Sequence, residues 1–130
     1  MPHIVVEYTA NLGEQARMPA LLQKINTLLI RDDGMFPTGG IRSRAIELQH
    51  WCIADGGNAD DAFVHVSAKI GRGRTDAEKK AVFDPLFEVV KEHFASVYAT
   101  RGLAISMELN EFSEAGTWKH NNIHARFRKS

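Results

Sequence analysis

The stretch Ala62-Phe63-Val64-His65-Val66-Ser67-Ala68-Lys69-Ile70-Gly71-Arg72-Gly73-Arg74-Thr75-Asp76-Ala77-Glu78 holds a complete strand-to-helix transition. Ala62, Val64, Val66, Ala68 and Ile70 recur at every second position, the period of a strand with one buried face. Gly71-Arg72-Gly73-Arg74 is a flexible basic turn. Thr75, followed three residues later by Glu78, has the spacing of a capping box and predicts a helix reaching about residue 100. Gly102 is a suitable helix stop. Beyond it Leu103, Ile105, Met107 and Leu109 supply the apolar face of another strand. Strand, helix and strand follow one another.

The preceding half of the chain has the same order. Pro2-His3-Ile4-Val5-Val6-Glu7-Tyr8 predicts a strand to about residue 9. Asn11 and Glu14 have capping-box spacing, Pro19 suits a first helical turn, and Leu21, Leu22, Ile25, Leu28 and Leu29 repeat at helix spacing. Asp32-Asp33-Gly34 is expected to end this helix, and Pro37-Thr38-Gly39-Gly40 to form a loop. A strand follows over about residues 41–53. Arg42, Arg44, Ile46, Leu48 and Cys52 share one of its faces, so the two arginine stems start roughly 7 Å apart. Asp55-Gly56-Gly57-Asn58 is a turn cluster at the middle of the chain.

The fold class expected is therefore α+β. Two β-α-β units, at about residues 1–54 and 60–113 of one domain spanning 1–130, form a four-stranded sheet with two helices on one face. A ferredoxin-like module has the same element order, which leaves the topology open. Pro85 falls inside the second helix, where it removes a donor and crowds the preceding turn; it predicts a kink, or a fresh start capped by Asp84. Several strands are apolar on both faces, Ile4 and Val6 against Val5 and Val64 and Val66 against Phe63, and two helices cover only one face, which predicts an oligomer.

Composition excludes more than it selects. Sixteen basic residues balance sixteen acidic ones over 130 residues, which argues against nucleic acid or a membrane surface as partner. No apolar run is long enough to span a bilayer, and no signal peptide precedes the first strand. The lone Cys52 excludes an internal disulfide, fits a cytoplasmic setting and is expected to be a buried structural thiol.

Pro2 carries the most chemistry. If Met1 is removed, the chain starts with a secondary amine, which burial or nearby cations would bring towards neutrality and make fit for general-base work. Otherwise Pro2 only stiffens a strand start. The glycine turn with Arg72 and Arg74 lacks the Lys-Ser/Thr of a phosphate loop and the spacing of a dinucleotide fingerprint. It reads as a solvated turn or an anion site. His120 and His124 are four apart but lack an intervening Glu, so they read as surface or packing residues rather than metal ligands. His65 reads as a packed or interface histidine. Trp51 and Trp118 fit pocket walls or oligomer packing equally well.

Taken in order, Pro2, Gly40-Ile41-Arg42-Ser43-Arg44, Ala62-Phe63-Val64-His65, Gly73-Arg74 and Asn121-Asn122-Ile123-His124-Ala125 resemble the 5-carboxymethyl-2-hydroxymuconate Δ-isomerase family of the tautomerase superfamily. The likeness runs from Pro2 to about Phe127. It implies two β-α-β units per subunit, a homotrimer, no cofactor and no metal. It also implies a cofactor-independent tautomerase in aromatic-acid catabolism, acting on a small unsaturated hydroxy-polycarboxylate. Pro2 would be the base, Arg42 and Arg74 would hold substrate carboxylates, and Arg44 and Phe36 fall in matching segments with less weight. The alternatives are another reaction of the superfamily, such as decarboxylation, dehalogenation or hydration, and a ferredoxin-like binding module without chemistry. The chain departs from the family pattern at Pro85 and near Asp32 and Gly57.

Overall fold

The structure, a computed structural model, describes residues 1–31 and 35–127. Asp32-Asp33-Gly34, expected to end the first helix, lie outside the described residues. Four strands form one sheet: β1 (His3–Thr9), β2 (Arg42–Leu48), β3 (Ala62–Gly71) and β4 (Leu103–Phe112). Between them run helices α1 (Met18–Arg31), α2 (Asp76–His93) and α3 (Ala95–Thr100). The strand order is β2-β1-β3-β4. β1 lies parallel to β2 and β3 parallel to β4, while β1 and β3 pair antiparallel. Each β-α-β unit thus keeps its two parallel strands adjacent, unlike the split arrangement of a ferredoxin-like module.

The helices pack on the face carrying Ile4, Val6, Val64, Val66, Ala68 and Ile70, all fully buried. From α1 come Leu21, Ile25 and Leu29, and from α2 come Val82, Leu86 and Val90. Each such side chain contributes about 1.5–3 kcal/mol by leaving water. The capping box of α2 is present in both directions. Thr75 Oγ1 accepts from the Glu78 amide at 3.1 Å, and Glu78 Oε1 accepts from the Thr75 amide at 2.8 Å.

Several sequence expectations need correction. Asn11 does not cap α1. Its side-chain amide donates to the carbonyls of Asp61 at 2.7 Å and Ala59 at 3.3 Å. A 3-10 segment, Ala10–Ala16, intervenes, and α1 starts only after Arg17, whose φ of 44° lies in the left-handed region. Pro19 does sit in the first turn of α1. β2 stops at Leu48, because its partner β1 leaves the sheet after Thr9 and no strand remains to pair with. Cys52 consequently lies outside the strand and is exposed rather than buried. Pro85 starts no new helix: α2 continues through it. Both Pro85 and Ala81, whose carbonyl Pro85 cannot serve, are exposed, so water can satisfy that acceptor. The long helix breaks instead at Phe94, with φ −104° and ψ 13°, where the ring turns into the core and is fully buried.

His93, at the end of α2, is 2 % exposed. Its Nε2–H donates to the Ala16 carbonyl at 2.9 Å, and its Nδ1 accepts from Lys24 Nζ at 3.0 Å. Burial, with Lys24 and Arg17 nearby, holds its pKa below the ordinary histidine value. The unfolded chain therefore binds this proton first, and stability falls as pH drops below about 6.5. Urea titrations between pH 7.5 and 5 should show that loss, and His93→Gln, which keeps a donor towards Ala16, should flatten the slope over the same interval.

Candidate active site

The antiparallel register decides where the chemistry gathers. His3 lies beside Arg42 on one side and Lys69 on the other. The beginnings of β1 and β2 therefore share one end of the sheet with the last residues of β3 and β4. Pro2 is buried there, and its carbonyl accepts from the Arg42 amide at 3.1 Å. The turn after β3 and the tail after β4 leave the sheet at this same end.

These segments enclose a cavity of about 310 Å³ lined by Met1, Arg72, Arg74, Phe112, Glu114, Thr117 and Lys119 among others. The Met1 ammonium is held below the ordinary α-amino value, first by burial and then by the positive charges of Lys119, Arg74 and Arg42. An amine at this end of the sheet is thus biased towards its free-base form. This is the electrostatic condition for a general base.

Arg74 is fixed rather than free. Its guanidinium donates to the Met35 carbonyl at 2.8 Å and the Gly71 carbonyl at 3.2 Å. It also stacks over the Phe36 ring, 4.7 Å from the centroid. Gly73, with φ of 121°, provides the reversal that returns Arg74 to this position. Phe36 itself is buried, edge-on to Phe83, and supports Arg74 from beneath. Arg72 is exposed at the cavity rim. Arg42 is half-buried beside Pro2. Arg44 points to the sheet face away from the helices, where its Nη1 donates to His3 Nδ1 at 3.3 Å. Burial, and then the positive charges of Arg44, Arg42, the chain terminus and Lys69, hold the His3 pKa below the ordinary histidine value.

Lys119, Phe112 and Thr117 were not singled out in the sequence, because the tail has no period to interpret. A signal was present: Lys119 lies two residues before Asn121, the first residue of the tail segment matched to the family. The structure pins that segment down. Asn121 Nδ2 donates to the Gly39 carbonyl at 2.9 Å, and its Oδ1 accepts from the Ile123 amide at 2.7 Å. His124 packs on Gly39 and Gly40. Of the remaining candidates, His65 lies on the open sheet face, with Nδ1 2.7 Å from Ser106 Oγ and Nε2 3.2 Å from Glu108 Oε1. Trp118 is 87 % exposed, and Trp51 lines a separate hollow with His50 and Cys52.

The family model for 5-carboxymethyl-2-hydroxymuconate isomerase matches residues 2–127. The 5-carboxymethyl-2-hydroxymuconate Delta-isomerase of Escherichia coli is 41 % identical over 128 residues, covering 98 % of this chain and all of the relative. The crystal structure of a 5-carboxymethyl-2-hydroxymuconate isomerase from Deinococcus radiodurans R1 superposes with a TM-score of 0.94 at 53 % identity, covering 98 % of this chain and 95 % of that one. A fused 4-OT symmetric trimer shares the fold, with a TM-score of 0.67 at 19 % identity over 91 % of this chain and 93 % of that one.

The Gly39–His124 contact gives a direct test of how the tail is held. A Cβ on Gly39 would meet the His124 Cα at 2.7 Å and its amide nitrogen at 2.8 Å. Backbone must give way there, so Gly39→Ala should cost about 1–3 kcal/mol as overpacking. Hydrogen exchange should accelerate over residues 117–127 in this variant while β1 and β3 keep their protection.

Proposed function

The chain belongs to the 5-carboxymethyl-2-hydroxymuconate isomerase family, and from that premise we propose that it converts 5-carboxymethyl-2-hydroxymuconate to its conjugated oxo isomer with Pro2 as the proton-carrying base. The observation that carries this reading is the cavity at the start of β1. There the Met1 amine is held below its ordinary pKa, first by burial and then by the positive charges of Lys119, Arg74 and Arg42.

The substrate is a dienol. With Met1 removed, the Pro2 nitrogen has a lone pair and takes the hydroxyl proton. The oxygen electrons form the carbonyl, the enol double bond moves one position along the chain, and the distal diene carbon takes the proton back from the Pro2 ammonium. One O–H bond and one C–H bond are exchanged, and no oxidant or second substrate enters. Developing oxyanion charge requires fixed cations. Arg42 and Arg74 are proposed to supply them and to hold carboxylates. Arg74 keeps three of its five N–H groups after the carbonyls of Met35 and Gly71 have taken one each. Phe36 acts beneath Arg74, and Arg44 contributes from the open face. The partner is a small unsaturated hydroxy-polycarboxylate.

We further propose that other copies of the chain, in a homotrimer, cover the open face. Val5 and Phe63 are only half-buried there, and Ile46 is 46 % exposed. Among the described residues no helix is long and apolar enough to cross a membrane.

Four measurements test these statements. Following the dienol absorbance should show rapid enzyme-dependent decay, with kcat/KM falling as pH drops through the depressed amine pKa. A preparation shown by intact mass to retain Met1 should be inactive, because an amide nitrogen has no basic lone pair. Arg42→Ala and Arg74→Ala should each lower kcat/KM by roughly 10- to 100-fold, and Arg72→Ala by only a few-fold. Circular dichroism checks folding, and equal losses in all three would refute the carboxylate assignment. Light scattering at micromolar concentration should give a mass three times that of one chain; a monomer would refute the assembly.

A further inference from the structure

We propose that Lys119 is the third carboxylate-binding cation of the site and thereby selects a tricarboxylate over a dicarboxylate. The inference rests on the isomerase reading above and extends it to a residue in the tail. The dienol carries the two carboxylates of a muconate and a third on its carboxymethyl arm. Arg42 and Arg74 account for two of these. A third carboxylate brought into a cavity without a cation would keep much of its desolvation cost.

Lys119 is placed for that task. It lines the cavity with Met1, Arg72, Arg74, Phe112 and Thr117. Its positive charge also acts on the Met1 ammonium, together with those of Arg74 and Arg42. Among the described residues no carboxylate forms an ion pair with it, although Glu114 also lines the cavity.

Arg72 is the competing candidate and is worse placed. Both side chains are exposed and line the cavity, but Arg72 lies between Gly71 and Gly73 and is not among the charges acting on the Met1 ammonium. Lys119 leaves a segment tied down on both sides. Upstream, Thr117 Oγ1 donates to the Ser113 carbonyl at 2.8 Å, and the Thr117 amide donates to Glu114 at 3.3 Å. Downstream, Asn121 is bonded to Gly39, in the turn directly before Arg42. The backbone that carries Lys119 is therefore tied to the turn preceding Arg42, and its side chain reaches the cavity from there.

The test compares Lys119→Met, Lys119→Arg and Arg72→Met on two dienols at the pH plateau of each variant. One is the tricarboxylate; the other is 2-hydroxymuconate, which lacks the carboxymethyl arm. Lys119→Met should lower kcat/KM roughly 10- to 100-fold on the tricarboxylate but no more than about threefold on 2-hydroxymuconate. Lys119→Arg should retain most of the discrimination, and Arg72→Met should leave it unchanged. Calorimetry gives a readout independent of turnover: Lys119→Met should weaken binding of inert propane-1,2,3-tricarboxylate and leave glutarate binding as in the wild type. Equal losses on both members of either pair, or no loss on the tricarboxylates, would overturn the assignment. A wild-type protein that turns over neither dienol would refute the isomerase reading instead, and the calorimetric pair would still decide the role of Lys119.

Discussion

Val6 faces Val66 and Ile4 faces Ala68 across the antiparallel pair β1–β3, and all four side chains are excluded from water. This seam joins the two β-α-β halves. Without it each half would present a two-stranded ribbon under one helix, too little sheet to be stable alone. The seam also sets direction. Because β1 and β3 run opposite ways, the start of the first strand meets the end of the third, and residues about seventy positions apart in sequence become neighbours.

The chemistry at that end of the sheet follows from this meeting. A chain-terminal amine is ordinarily solvated and protonated at neutral pH. Here it is partly buried and faces Lys119, Arg74 and Arg42, three cations from three separate segments. Each of them makes the ammonium less favourable, and each is also suited to an anion. In the proposed reaction, concentrating positive charge around an amine would serve two purposes at once: it would free the base and attract the polycarboxylate. Arg74 shows how such a charge is kept in place. Two carbonyls and an aromatic face hold its guanidinium, so little of its conformational freedom remains.

The face of the sheet opposite the helices has a different character. Along it lie His3, Val5, Arg42, Arg44, Ile46, Phe63, His65 and Lys69, a mixture of half-buried apolar groups and charge. The exposed apolar part of this surface is costly to leave wet, which supports the proposed cover by other copies of the chain.

Local sequence determined the elements. The alternation from Ala62 to Ile70 and the Thr75–Glu78 box both appear where the periodicity puts them, because strand pleat and helix cap depend on residues within four positions of each other. Pro2, Arg42 and Arg74 were likewise visible as candidate groups from residue type and family resemblance. What depends on distant partners was not visible. Asn11 has the spacing of a cap but bonds to Ala59 and Asp61, some fifty residues away. The end of β2 is set by where β1 leaves the sheet, so the apolar pattern continuing to Cys52 overstated the strand. The break of the long helix is at Phe94, which needs core space, and not at Pro85, which faces water. Lys119 sits in a tail without period, and only the pairing of β3 with β4 and the Asn121–Gly39 bond bring it to the amine. Sequence by itself determined which segments form strands and helices and which residues can act as base or cation. Tertiary structure alone decided which of those charges share a cavity, because that depends on strand register and not on spacing along the chain.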